Sequence, residues 1–258
     1  MKSRNSASTL LVNTHKKQQL LKVGAFTLPL FIISCFMLLK ILSYQRYENL
    51  NDEDHLVENL EFCLYFLAFF VALFVAVRFF RARRSLLGLL YLILAFGLFF
   101  IAMEEISWGQ RIFNIPVPEF FQENNYQEEI TLHNLGHRPA NLPEDKGNYI
   151  DMVYPAIGFI GAFAWLLTLM LPERLKARYN SILDFLVPPW YLSLYFFPVF
   201  AIYLYVSICV FYLQQFPSTE PYIGSQEEEP AEFLLAFGFL LFAIVSMCKQ
   251  SSKIVRLF

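Results

Sequence analysis

The chain has 258 residues, of which 57% are hydrophobic and only 16% are charged, and its mean hydropathy is +0.45. Soluble domains usually carry about 25% charged residues, so this composition excludes an ordinary soluble protein and predicts one that folds in lipid. The formal net charge of −2 provides no basic excess, so nucleic acid is not an expected partner, whereas membrane lipids are.

The apolar residues form six long blocks that are separated by shorter polar stretches. A helix needs roughly 20 residues to cross a hydrocarbon core about 30 Å thick. Spans are therefore predicted at about residues 23–43, 57–79, 86–103, 152–171, 190–213 and 231–247. The sequence predicts an all-α fold, a polytopic transmembrane helix bundle of about six spans that forms a single membrane domain over residues 1–258.

The fifth span is the least regular of the six. Pro188 and Pro189 precede it and Pro198 lies inside it, and proline interrupts or kinks a helix. Residues 183–187 either begin this span or lie along the membrane surface.

Charged residues are sorted along the chain. Most lysines and arginines fall before the first span, between the second and third, between the fourth and fifth, and after the sixth. Because lysine and arginine in short loops stay on the cytoplasmic side, both termini are predicted to be cytoplasmic. The expected location is the inner membrane of the cell, with several passes, and residues 104–151 are then the longest outer segment.

The outer segment is expected to form a polar and partly helical cap. A helix is predicted over residues 118–135, because Pro118 suits a first helical turn and Gly136 suits a terminator. Such a helix would lie at the membrane interface. The four cysteines, Cys35, Cys63, Cys209 and Cys248, show no metal-ligand spacing and are predicted to be small buried hydrophobic residues.

The third span runs directly into the string EEISWGQR at residues 104–111. Carboxylates at the C-terminal end of a helix oppose its dipole, so capping alone explains Glu104 and Glu105 poorly, although a plain headgroup location stays open. Glu61 and Glu104 are equally distant from the turn centre between Ala82 and Arg83, so they should reach the same height. We predict that Glu61 faces Glu104 or Glu105 across an outer polar pocket, with His133 folded over it.

Carboxylates beside a histidine can perform acid–base chemistry or hold a divalent metal ion. The His133-x-x-x-His137 spacing would suit two metal ligands on one helix, but Gly136 interrupts it. The sequence therefore leaves both alternatives open. Arg111 would hold an anionic headgroup and Trp108 would set the depth at the interface. The candidate catalytic residues are Glu61, Glu104, Glu105 and His133, and the candidate substrate-binding residues are Trp108, Gln110, Arg111 and Asn134.

Two further patterns stand out. Glu58-x-x-Glu61-Phe62 opens the second span and Glu229-x-x-Glu232-Phe233 opens the sixth, which indicates either duplication or chance. The EEISWGQR string, with Glu58 and Glu61 before an apolar span and an LHN sequence at residues 132–134, resembles a family of uncharacterised bacterial polytopic membrane proteins. The resemblance covers about residues 52–134, and because the family has no established activity it implies no catalytic residue.

Three functions remain after the sequence alone, and whether the protein is an enzyme at all stays open. The first is an enzyme whose outer site acts on a lipid or a lipid-linked substrate. The second is a noncatalytic assembly or sensing protein. The third is a transporter, which is less favoured because no span carries an ionisable residue near its middle, where coupled transporters usually have one.

Overall fold

A computed structural model describes residues 2–51, 56–125, 129–132, 135, 153–208 and 228–255. This part of the chain is helical and contains no strand, so the all-α prediction is confirmed. Two short 3-10 turns, Ser107–Gly109 and Trp190–Leu192, accompany the α-helices. The α-helices are α1 (Lys2–Leu42), α2 (Tyr44–Asn51), α3 (Leu56–Arg81), α4 (Ser85–Glu105), α5 (Gln110–Phe113), α6 (Glu119–Asn124), α7 (Val153–Met170), α8 (Glu173–Leu186), α9 (Ser193–Ile208) and α10 (Glu228–Val255).

Six helical stretches among the described residues are long and apolar enough to cross a membrane, as predicted. They lie on α1, α3, α4, α7, α9 and α10, and the second and fifth stretches also include α2 and α8. Large apolar side chains such as Phe31, Phe74 and Phe96 are exposed on their surfaces. Exposed phenylalanine would be costly in water, whereas lipid is a favourable solvent for it.

The helices α3, α4 and α10 form the half of the bundle that carries the candidate site. α3 and α4 are an antiparallel hairpin joined by residues 82–84, as predicted, and α10 packs against α3. Ala68 and Ala72 of α3 and Ala236 and Ala243 of α10 are completely buried. Small side chains let membrane helices approach closely, so α3 and α10 are held together along their length.

The other half of the bundle is a close pairing of α7 with α9, and α9 also contacts α10. A Cβ atom added at Gly161 would lie 2.2 Å from the Phe196 ring, and one at Gly158 would lie 2.6 Å from the Phe200 backbone nitrogen. Only glycine fits at these two positions, because the backbone of α9 at Gly158 and the Phe196 ring at Gly161 fill the space that a side chain on α7 would need.

The two ends of the bundle differ in charge. At one end, which we call the basic end, Arg78 donates a hydrogen bond to Ser251 (2.7 Å) and the Lys249 ammonium donates one to the Asp184 carbonyl (2.8 Å). The Tyr91 hydroxyl donates to the Phe185 carbonyl (2.5 Å). These contacts join α3, α4, α8 and α10 at that end. We call the opposite end, where α3 and α10 begin and α4 ends, the acidic end.

Residues 183–187 lie on α8 and at its end, and not on α9. α8 ends at Leu186, the chain is extended from Val187 to Pro189, and α9 begins at Ser193 after a 3-10 turn. The prolines separate the two helices because proline cannot donate a backbone hydrogen bond. α8 and α9 are therefore distinct helices within the fifth apolar stretch, and a location of residues 183–187 along the membrane surface stays a prediction.

The predicted helix over residues 118–135 is wrong. α6 covers only Glu119–Asn124, and Asn125 is extended. The Asn125 amide donates hydrogen bonds to the Thr131 carbonyl (2.9 Å) and hydroxyl (2.8 Å), and Asn125 forms an isolated bridge with Leu135. An asparagine side chain that bonds nearby backbone competes with helix formation, so the chain turns back at this point. Gly136 lies outside the described residues.

The prediction that the cysteines are buried is also wrong for three of them. Cys35, Cys63 and Cys248 are exposed, while Cys209 lies outside the described residues. The error arises because a membrane helix is apolar on its lipid-facing side as well as on its packed side, so an apolar neighbourhood in sequence does not indicate burial.

Candidate functional site

Three carboxylates meet at the acidic end of the bundle. Glu61 comes from α3, Glu105 from the end of α4, and Glu232 from the first turns of α10. One oxygen atom of each lies within 4.8 Å of the others. We call this group the carboxylate cluster. The sequence predicted that Glu61 faces Glu104 or Glu105, and the residue that lies beside it is Glu105.

Glu61 is the most unusual member of the cluster. Its side chain is 0% exposed, and neither carboxylate oxygen has a hydrogen-bond partner in the described structure. Nearly all buried polar groups in proteins are hydrogen-bonded, and a buried charge without a partner is strongly unfavourable. A carboxylate in this position therefore indicates a shared proton or a bound ligand.

Tyr65 lies one helical turn after Glu61 on the same face of α3. Its side chain is completely buried and its hydroxyl has no hydrogen-bond partner among the described residues. The hydroxyl is close enough to Glu61, Glu105 and Glu232 to interact electrostatically with all three. Two neighbouring polar groups of α3 are thus buried and unpaired beside the cluster, which is hard to explain by packing alone.

Two tyrosines of the other half of the bundle fix Glu232 in place. The Tyr203 hydroxyl of α9 donates a hydrogen bond to Glu232 Oε1. The Tyr154 ring of α7 stacks on the Tyr203 ring, with centroids 4.8 Å apart and planes at 8°. Because stacked rings restrict each other's movement, the α7–α9 pair orients the Glu232 carboxylate toward the cluster.

Glu104 has a different environment from Glu105, although the two are adjacent in sequence. Glu104 is buried, and its two oxygens accept hydrogen bonds from the Trp108 indole (2.6 Å) and the Leu132 backbone N–H (2.6 Å). Short hydrogen bonds to a carboxylate are stronger than neutral ones. Glu104 therefore holds residues 129–132 against the end of α4, while Glu105 belongs to the carboxylate cluster.

Two more contacts hold the same segment. The Ser107 hydroxyl donates to Glu129 Oε2 (2.5 Å), and the Gln110 side-chain oxygen accepts from the Ile130 backbone N–H (2.7 Å). Ser107 and Trp108 have positive φ angles of 47° and 54°, a conformation that is strained for residues other than glycine. The strained turn directs Trp108 back to Glu104 of α4 and directs Gln110 toward residues 129–132.

The remaining predicted residues are only partly described. Trp108 lies at the acidic end with its indole 36% exposed, in edge contact with Phe100. The Arg111 side chain, His133 and Asn134 lie outside the described residues, so a histidine over the cluster and an arginine for an anionic headgroup stay predictions. The catalytic and substrate-binding roles of the other candidates also stay predictions.

Four residues of the site were missed from the sequence: Glu232, Tyr65, Tyr154 and Tyr203. Glu232 had a signal, because the Glu229-x-x-Glu232-Phe233 pattern repeats the pattern around Glu61. The tyrosines had none that separates them from the other tyrosines among the 14 of the chain. Comparisons of the chain with family models, with curated proteins and with solved structures give no match.

Proposed function

We propose that this protein is an enzyme of the outer face of the inner membrane that acts on a lipid or a lipid-linked substrate. The observation that carries the proposal is the convergence of three carboxylates from three helices, Glu61, Glu105 and Glu232, within 4.8 Å. Buried acidic groups at the end of a membrane span are costly and are therefore usually functional.

The orientation supports this location. The basic end carries Arg78, Arg81, Arg83 and Arg84 around the α3–α4 turn, and such residues favour the cytoplasmic side. The carboxylate cluster would then lie on the outer side, and both termini would be cytoplasmic.

The cluster is suited to acid–base catalysis. Carboxylates this close repel each other, so in the absence of a cation they are expected to share protons instead of all being ionised. A set with at least one protonated and one ionised member contains both a general acid and a general base. Tyr203 is a positioning residue, because its hydrogen bond holds Glu232 toward the other two carboxylates.

A groove on the bundle surface supports a lipid-type substrate. It has a volume of about 70 Å³, enough for a short segment of a hydrocarbon chain, and an entirely apolar lining that includes Phe36, Ile202, Ala231 and Leu234. The groove lies between α1, α9 and α10, on the same turns of α10 as Glu232 but on another face. A hydrocarbon chain resting in it would bring its headgroup to the start of α10, at the height of the cluster.

The candidate roles for the cap follow from the same arrangement. Trp108 would set the depth of the substrate at the interface, Arg111 and Asn134 would bind its polar headgroup, and His133 would relay a proton. The proposal includes membership of the family of uncharacterised bacterial membrane proteins that the EEISWGQR string resembles. That family has no established activity, so membership implies no particular reaction.

The test is turnover of lipid by the purified full-length protein. The protein is incubated in vesicles made from the total lipid extract of the expression host, and products are followed by mass spectrometry. We expect a product that requires wild-type protein and falls by about 10²-fold or more in Glu61→Gln and Glu105→Gln. Glu123→Gln, which changes an exposed acid on α6, should keep full activity.

Two other outcomes would replace this proposal. If no lipid is altered and the chain instead co-purifies with a protein partner held by the cap, the function is assembly or sensing. If vesicles show a cation or proton flux that Glu61→Gln abolishes, the function is transport. In either case the enzyme proposal fails.

A further inference from the structure

We propose that the carboxylate cluster is a binding site for a hard divalent cation of about the size of Ca²⁺, with Glu61, Glu105 and Glu232 as ligands and Tyr65 beside them. This inference deepens the proposed function and rests on the same site. It goes beyond acid–base work because it assigns a resident ion.

The cluster has the donor chemistry that hard cations prefer. All three side chains present oxygen atoms, and the cluster contains no nitrogen or sulfur ligand among the described residues. Carboxylate oxygens suit Ca²⁺, Mg²⁺ and Mn²⁺, whereas sites selective for zinc or copper usually include histidine or cysteine.

The spacing fits one shared ion. Oxygen ligands of Ca²⁺ lie 2.3–2.6 Å from the ion, so three ligands spread evenly around it are about 4.0–4.5 Å apart. The three oxygens of the cluster lie within 4.8 Å of each other, so a closure of a few tenths of an ångström brings them onto one Ca²⁺. For Mg²⁺ the corresponding separation is about 3.6 Å, which demands a larger movement.

An unpaired group outside the cluster gives independent support. The Tyr65 hydroxyl is completely buried, has no hydrogen-bond partner in the part of the chain that the structure describes, and lies near all three carboxylates. A phenol in this position can bind the ion through its oxygen or can donate to a ligand carboxylate, and either contact would satisfy the hydroxyl.

Further negative charges near the cluster favour the entry of a cation. Glu58 and Glu229 lie about one turn nearer the starts of α3 and α10 than Glu61 and Glu232, and their negative charges act on Glu61. Charges of one sign attract ions of the other sign. The two further glutamates therefore add negative potential beside the three ligands.

The experiment is a titration of the chelator-treated, full-length protein in detergent with Mn²⁺, which is followed by electron paramagnetic resonance, and then displacement by Ca²⁺. We expect one Mn²⁺ site per chain that Ca²⁺ empties. Glu61→Gln, Glu105→Gln and Glu232→Gln should each weaken Mn²⁺ binding by about 10–100-fold or more, since even outer-shell changes have effects of that size. Glu123→Gln should bind like the wild type.

Absence of stoichiometric Mn²⁺ or Ca²⁺ binding by protein that elutes as a single species would overturn the inference, as would equal binding by Glu61→Gln and Glu123→Gln. If a glutamine variant does not fold, Tyr65→Phe and Tyr203→Phe give the same test, because they keep the charge and should still weaken binding.

The two proposals can fail separately. Lipid turnover by protein that binds neither Mn²⁺ nor Ca²⁺ would refute the cation site and leave the enzyme intact. Tight Mn²⁺ binding without any lipid turnover would support the cation site and refute the enzyme.

Discussion

Replacing Glu61 with glutamine should make the metal-free protein more stable. The Glu61 carboxylate is buried, has no hydrogen bond to any residue that the structure describes, and lies near two other carboxylates. Glutamine has nearly the same shape, removes one negative charge, and can donate its amide N–H to Glu105 or Glu232. A hydrogen bond to a charged group contributes about 1.5–3 kcal/mol.

That gain corresponds to a rise in Tm of roughly 3–12 °C for a protein of this size. The assay is thermal unfolding in detergent with excess chelator, and Glu123→Gln is the control because exposed substitutions usually change stability by less than about 0.5 kcal/mol. Adding Ca²⁺ should then reverse the order. At 100 times its Kd the ion adds about 2.7 kcal/mol to the wild type and much less to Glu61→Gln.

The opposite result has a definite meaning. If Glu61→Gln is less stable than the wild type in chelator, the buried carboxylate contributes to folding by itself. The unpaired oxygens of Glu61 would then not destabilise the metal-free protein, and no function would be needed to explain them. The reasoning behind both proposals would be refuted.

Three other changes test separate parts of the structure. Glu104→Ala removes the acceptors of the Leu132 backbone N–H and of the Trp108 indole, so amide exchange at Leu132 should speed up while Mn²⁺ binding persists; unchanged exchange would contradict the role of Glu104. Gly161→Leu forces a side chain into the Phe196 ring and should destabilise the protein by about 1–3 kcal/mol or more, which chemical denaturation would measure. A single added cysteine at position 50 should react with an impermeant thiol reagent in intact cells and one at 82 should not; labelling at 82 would invert the proposed orientation.

The sequence predicts the bundle well because the signals are long. Six apolar blocks of about 20 residues and a short basic turn at residues 82–84 leave little choice for α3 and α4. Prediction fails where one side chain decides the local path. Asn125 ends α6 through hydrogen bonds to Thr131, and no periodicity over residues 118–135 reveals that.

The neighbouring residues Glu104 and Glu105 mark the limit of prediction at the site. Residues one apart on a helix point about 100° away from each other, so only one of them can face Glu61 directly. Which one does so depends on how α4 is rotated against α3. The sequence does not reveal that rotation, because the last two residues of α4 are both glutamates. The structure assigns Glu105 to the cluster and Glu104 to the loop.

The third carboxylate could have been found from the repeated pattern in the sequence. Glu61 lies three residues after Glu58, and Glu232 lies three residues after Glu229. α3 and α10 both begin at the acidic end and pack along each other. Equivalent positions near the starts of two helices that run in the same direction reach similar heights. Matched turns on facing helices therefore place Glu61 and Glu232 together, whether the pattern arose by duplication or by chance.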